Sequence, residues 1–227
     1  MKNKIPYIAK WGLLFQKEKY PKISRQKIEL RGKKFVLINE ISKIPQEERK
    51  KNYILLFFAE EKHFNAFYAD LDDKRMKLLQ EFYAICGLDF STYLGLDEDE
   101  NIVAIKRIRK FCSFCQQHDI LCIYNIVWTD QNSYKTAFSN VENGCVVIIS
   151  TYRLQNKDDE IFRKGYSKMK QILKPSIILC YGEPQSIMEK DLAKGTIVLI
   201  PPRFKMLKLE YKSRKGQYSF LENLLSA

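Results

Sequence analysis

Six short apolar runs punctuate the chain: YILLFFA (53–59), CGLDF (86–90), ILCIYNIVW (120–128), CVVIIS (145–150), SIILCYG (176–182) and TIVLIPP (196–202). Each is rich in β-branched and aromatic residues and too short for a buried helix, so each reads as a strand covered on both faces. Between them the apolar positions take helical spacing: Arg75 to Ile85 with Met76, Leu79 and Phe82, Ile102 to Cys115 with Ile105, Ile108 and Cys112, and Ile161 to Leu173 with Phe162, Tyr166 and Met169. Strand and helix in alternation predict right-handed βαβ units and an α/β fold with a mainly parallel sheet. A complete eight-unit barrel takes about 250 residues. About six strands in 227 residues therefore predict an open sheet or an incomplete barrel.

The first 51 residues break this pattern. KIELRGKKFVLI carries two short β-like runs around Arg31, Gly32, Lys33 and Lys34 and predicts a basic β-hairpin extension packed on the main domain. IPQEERKKN, with Pro45 and a charge cluster, reads as the connection into the first buried strand. The predicted organisation is a basic extension (1–51), an α/β domain (52–202) and a basic C-terminal segment (203–227).

Charge sharpens that division. The net charge of +12 splits into +10 over residues 1–51, −3 over 52–112 and +5 over 113–227. The basic character sits at the two ends, where a nucleic acid or another acidic partner would be met; the bland alternative is a solvated Lys-rich surface. No apolar stretch approaches the roughly 20 residues of a spanning helix, and MKNKIPYIAK lacks the apolar centre of a signal peptide, so a cytoplasmic protein with no membrane partner is expected. Six scattered Cys read as small core hydrophobes of a reducing compartment.

Polar residues collect after the predicted strands: Asp89, Ser91 and Tyr93 after the second, Asn125, Trp128 and Asp130 after the third, Ser150 and Tyr152 after the fourth, Tyr181, Gly182 and Glu183 after the fifth. In a parallel sheet these ends share one edge, so a binding crevice is expected there. Asp89 and Asp130 are its candidate catalytic carboxylates, able to act as acid and base or to hold a cation, and the aromatics suit stacking. Taken singly, each Ser, Asp or Thr could equally cap the following helix.

FFAEEKHFNAFYAD, LDFSTY, YNIVWTDQNSYKTAF, VVIISTYR, FRKGYSKMKQILKPSIILCYGEP and IVLIPP resemble, in order, the phage and mobile-element family numbered 4417 among domains of unknown function. The resemblance spans about residues 52–202. It rests on Asp89, Phe90, Ser91, Trp128, Ser150, Thr151, Pro175, Tyr181 and Gly182, with Leu88 in place of a usual proline and Tyr152 and Arg153 where a glycine is common. It implies origin in a mobile element and no particular reaction.

Other motifs are thinner. Cys112, Cys115, His118 and Cys122 have the residue types of a zinc knuckle without its spacing, so core packing and no metal are expected. The glycines are isolated and form no phosphate loop, and His63 and His118 give little basis for a Ser-His-Asp triad; no cofactor is expected. His63, near the first strand's exit, is the histidine to follow. Two functions remain open. One is binding of nucleic acid or of a nucleic-acid-binding host complex, such as a defence or CRISPR-type effector, through Arg31, Lys33, Lys34, Arg203, Lys205, Lys208, Lys212, Arg214 and Lys215, with Phe204 and Tyr211 placed to stack on bases. The other is a hydrolase-type enzyme using the carboxylates of the crevice.

Overall fold

The computed structural model describes residues 19–92, 98–152, 154 and 159–202. Among them seven strands form one sheet: β1 (Lys34–Leu37), β2 (Tyr53–Leu56), β3 (Ala84–Cys86), β4 (Cys122–Asn125), β5 (Val146–Ser150), β6 (Ile177–Tyr181) and β7 (Ile197–Ile200). Spatial order follows chain order, and every neighbouring pair is parallel. The connections are helical: α1 (Gln46–Asn52), α2 (Asn65–Ala69) and α3 (Asp73–Gln80), α4 (Glu98–Gln117), α5 (Gln131–Phe138), α6 (Asp159–Leu173) and α7 (Glu189–Ala193). Right-handed crossovers taken in strict sequence put the helices on one face, which leaves the other face to be covered only by its own curvature.

Two rings show how far that curvature goes. Phe58 follows β2 and Tyr181 ends β6, with β3, β4 and β5 between them. In a flat sheet, at the ~4.8 Å strand spacing, they would stand about 19 Å apart. Their centroids are 4.4 Å apart and their planes 6° from parallel. The sheet is therefore curled into a nearly closed, barrel-like shape.

Register sorts the side chains into outer and inner sets, because partners in a parallel pair project to the same side. Tyr124 bonds the Ala137 carbonyl of α5, and a Cβ on Gly87 would come within 2.6 Å of Cys112 Sγ on α4, so this set faces the helices. The complementary set, Cys86, Leu88, Ile123, Asn125, Ile148, Ser150, Leu179 and Tyr181, faces the barrel interior. Both sets are almost entirely buried, as the unbroken apolar runs require.

Several sequence expectations shift. The segment expected as a hairpin has a turn at Arg31–Gly32, with Gly32 at φ 73°, and then enters β1, which pairs in parallel with β2 as an edge strand of the main sheet. A hairpin partner is unnecessary because QEERKKN is itself the crossover helix α1, with Glu47 and Glu48 in its first turn and Arg49, Lys50 and Lys51 in its last, matching the helix dipole. The run CGLDF was placed as a strand, but β3 is Ala84–Cys86, and residues 87–90 form its exit. Helix α5 was not foreseen.

The segment before β1 is clasped to the barrel. Arg109 of α4, fully buried, donates to the carbonyls of Pro21 (2.8 Å), Ala137 (3.1 Å) and Ser139 (2.5 Å). Ile23 bridges in parallel to Val141, and Ser24 N–H donates to Gln116 Oε1.

Candidate active site at the carboxyl ends of the strands

The exits of β2, β3 and β4 bring Glu61, Asp89 and Asn125 together. Asn125 is the last residue of β4, faces inward and is 1% exposed. Its Nδ2 donates to the Leu88 carbonyl (3.1 Å) and to Asp89 Oδ1 (3.2 Å). Burial pushes the Asp89 carboxyl up from 3.8 to about 7; the Asn125 hydrogen bond opposes that rise, and the negative charge of Glu61 adds to it. Glu61, exposed in the short turn Glu61–His63, accepts the Ser91 backbone N–H at 3.2 Å. A carboxyl that ionises near neutrality beside a buried amide can give or take a proton at ordinary pH.

The exits of β5 and β6 supply the opposite side. Ser150 Oγ donates to the Tyr181 carbonyl (3.4 Å) and accepts the Tyr152 N–H (3.3 Å). Tyr152, 41% exposed, stands edge-on to Tyr181 at 5.7 Å. Thr151 Oγ1 donates to the Glu183 carbonyl at 2.6 Å, while the Glu183 side chain is exposed. Gly182, at φ 129°, permits this turn: a Cβ there would be 2.5 Å from Thr151 Oγ1.

Two expected members of the crevice are engaged in other contacts. Asp130 is the N-cap of α5, accepting the Ser133 N–H in a reciprocal capping box, so its carboxylate serves the helix. Trp128 packs outward: its ring lies 5.5 Å from that of Phe162 and 6.1 Å from that of Phe138, and a Cβ on Gly165 would be 2.0 Å from its Nε1. The absent side chain of Gly165 makes room for the indole. Tyr93 lies outside the described residues. Phe58 and Glu61 were not singled out from the sequence; the signal was FFAEE, where an apolar run gives way at once to two acids. His63, in the same turn, is exposed.

Residues 17–200 match the family described as Domain of unknown function (DUF4417). The chain belongs to this family. No curated protein and no solved structure matches it. Of the residues on which the resemblance rests, Asp89, Phe90 and Ser91 follow β3, Trp128 follows β4, Ser150 and Thr151 stand at the end of β5 and Tyr181 and Gly182 at the end of β6, while Pro175 precedes β6.

The other expected binding residues lie at the opposite, amino-end edge of the sheet. Arg31 and Lys34 are exposed before and at the start of β1, beside the exposed Lys50 and Lys51 ahead of β2. Lys33 is partly tied down, donating to the Lys51 carbonyl (2.6 Å) with its ammonium 4.1 Å from the Tyr83 ring centre. Lys34 lies over Tyr53 at 5.7 Å. Arg203, Lys205, Lys208, Lys212, Arg214 and Lys215 lie outside the described residues. Among the described residues no three His, Cys, Asp or Glu side chains are grouped to hold a metal ion: Cys112, Cys115 and Cys122 are buried, and His118 Nδ1 is 2.9 Å from the Phe114 carbonyl.

Proposed function

We propose that this chain is a barrel enzyme of hydrolase type, with its site at the carboxyl-end mouth and Asp89 as the group that transfers the proton. The observation that carries this reading is the Asp89 carboxyl, held by burial at about 7 and hydrogen-bonded to Asn125. Barrels of parallel strands place their chemistry at this end, where the loops after several strands converge. Turnover of a panel of chromogenic esters, phosphoesters and glycosides across pH 5–9, compared with Asp89→Asn, tests it. Turnover that inflects near neutrality and is lost in the variant supports the reading; no turnover, or turnover indifferent to Asp89, overturns it.

A second reading rests on the other edge of the sheet. Arg31, Lys34, Lys50 and Lys51 are all exposed on the amino-end side of β1 and β2, and Lys50 donates to the Gln80 carbonyl. Such a surface suits a mobile-element protein that meets nucleic acid, or a nucleic-acid-binding host defence complex. Binding of duplex and single-stranded DNA and RNA across a salt series separates the readings, because phosphate neutralisation steepens the salt dependence.

A further inference from the structure

We propose that the Asp89–Asn125 corner of the mouth binds a primary ammonium group. The proposal deepens the mouth reading by naming the chemistry of its ligand, and it begins from an unmet acceptor. The Leu88 carbonyl can only accept, so the amide NH2 of Asn125 must face it, and its second hydrogen goes to Asp89. Asn125 Oδ1 is then left buried with no hydrogen-bond partner. A buried acceptor without a donor costs free energy that a bound donor would recover.

The surroundings specify what kind of donor. Asn125 Oδ1 belongs to the same amide that bonds Asp89, so it lies within a few ångströms of that carboxyl. Among the described residues no side-chain donor meets Asp89 Oδ2. The carboxylate whose charge reaches Asp89 is Glu61, a third acceptor, and a second titratable neighbour, Cys86, is a buried thiol held in its neutral form. The guanidinium of Arg107 stands over the rings of Tyr68 and Phe90, 5.8 and 5.5 Å from their centres. Acceptor oxygens with net negative charge repel an anion and leave a neutral hydroxyl under-used. An ammonium brings three N–H donors and one positive charge, which this corner can meet. Mg²⁺ dehydrates reluctantly and keeps several waters, which a buried amide oxygen accommodates less readily than it does an N–H donor.

The test uses the full chain labelled with nitrogen-15, following the Asn125 side-chain amide resonances, assigned by their loss in Asn125→Asp. Butylammonium chloride is titrated at pH 8, with butanol, butyrate and magnesium chloride as parallel arms. The expected result is a saturating shift with butylammonium alone, weakened about tenfold in Asp89→Asn, as loss of a charge-assisted bond implies. Glu61→Gln, at an exposed turn, gives a second weakened variant should Asp89→Asn fail to fold. Silence toward butylammonium, an equal response to butanol, or saturation by magnesium overturns the proposal. Asp89-dependent turnover without an ammonium response overturns the ligand assignment and leaves the hydrolase reading standing. An ammonium response without turnover does the reverse.

Discussion

Phe58 and Tyr181 stack face to face across the mouth, their ring centres 4.4 Å apart, although three strands lie between the elements that carry them. The pair joins opposite walls of the barrel, and both residues are buried. A double-mutant cycle with Phe58→Leu and Tyr181→Leu should give a coupling of about 0.5–1.5 kcal/mol beyond the area each buries. Urea unfolding of the four species measures it; additive losses would mean the walls are held together by other contacts.

Asp89 should make the protein less stable as pH rises. Its folded carboxyl holds a proton up to about 7, while the unfolded one releases it near 3.8. Below 3.8 both states are protonated and the residue is neutral in effect; stability then falls as pH climbs to about 7, and levels off above it. The total loss is on the order of a few kcal/mol, toward the low end because Asp89 is partly open to solvent. Asp89→Asn should therefore flatten the profile and be the more stable protein at pH 8. Denaturation midpoints at pH 5 and pH 8 decide the matter, and a profile unchanged by the variant would remove Asp89 as its cause.

Gly165→Ala should be among the more damaging small substitutions. The added methyl would sit 2.0 Å from Trp128 Nε1, against an indole fixed by Phe138 and Phe162. Overpacking of this kind costs about 1–3 kcal/mol or more. Trp128→Phe opens the space, so the two changes together should cost less than their sum, as followed by circular dichroism during thermal unfolding.

Arg109 holds three carbonyls from two distant stretches of chain in a site without solvent. Arg109→Lys keeps the charge but cannot span Pro21, Ala137 and Ser139 at once, and a loss of about 3 kcal/mol is expected from the abandoned charge-assisted bonds. Hydrogen exchange at Ile23 and Glu142, whose N–H groups bond Asn140 and Ile23, should accelerate more than exchange in β3 or β4.

The α/β architecture was legible because double-sided burial leaves unbroken apolar runs. Boundaries were less so: CGLDF looks like one strand, yet Gly87 must be bare for Cys112 to approach, and the chain turns out of the sheet there. β1 was misplaced because KFVL is half-buried at an edge and reads like half of any hairpin. Of the mouth, Asp89, Asn125, Ser150 and Tyr181 were visible as polar endings of apolar runs. Asp130 and Trp128 share that signature but face outward, since side-chain direction depends on register and on where the strand stops. That a parallel sheet of this size would close on itself, and so bring Phe58 to Tyr181, depends on strand order, which no local pattern encodes.

The monotonic strand order also bears on how the protein assembles. Each strand finds its partner in the next segment to emerge from synthesis, so successive units can dock by short-range closures, a topology with low entropic cost per step. The clasp is the exception: Ile23 waits for Val141, and Pro21 for Ser139. The stretch from residue 20 to 25 therefore stays unattached until more than half the chain has been made, and Arg109 can capture it once four of the seven strands have emerged and before the barrel closes.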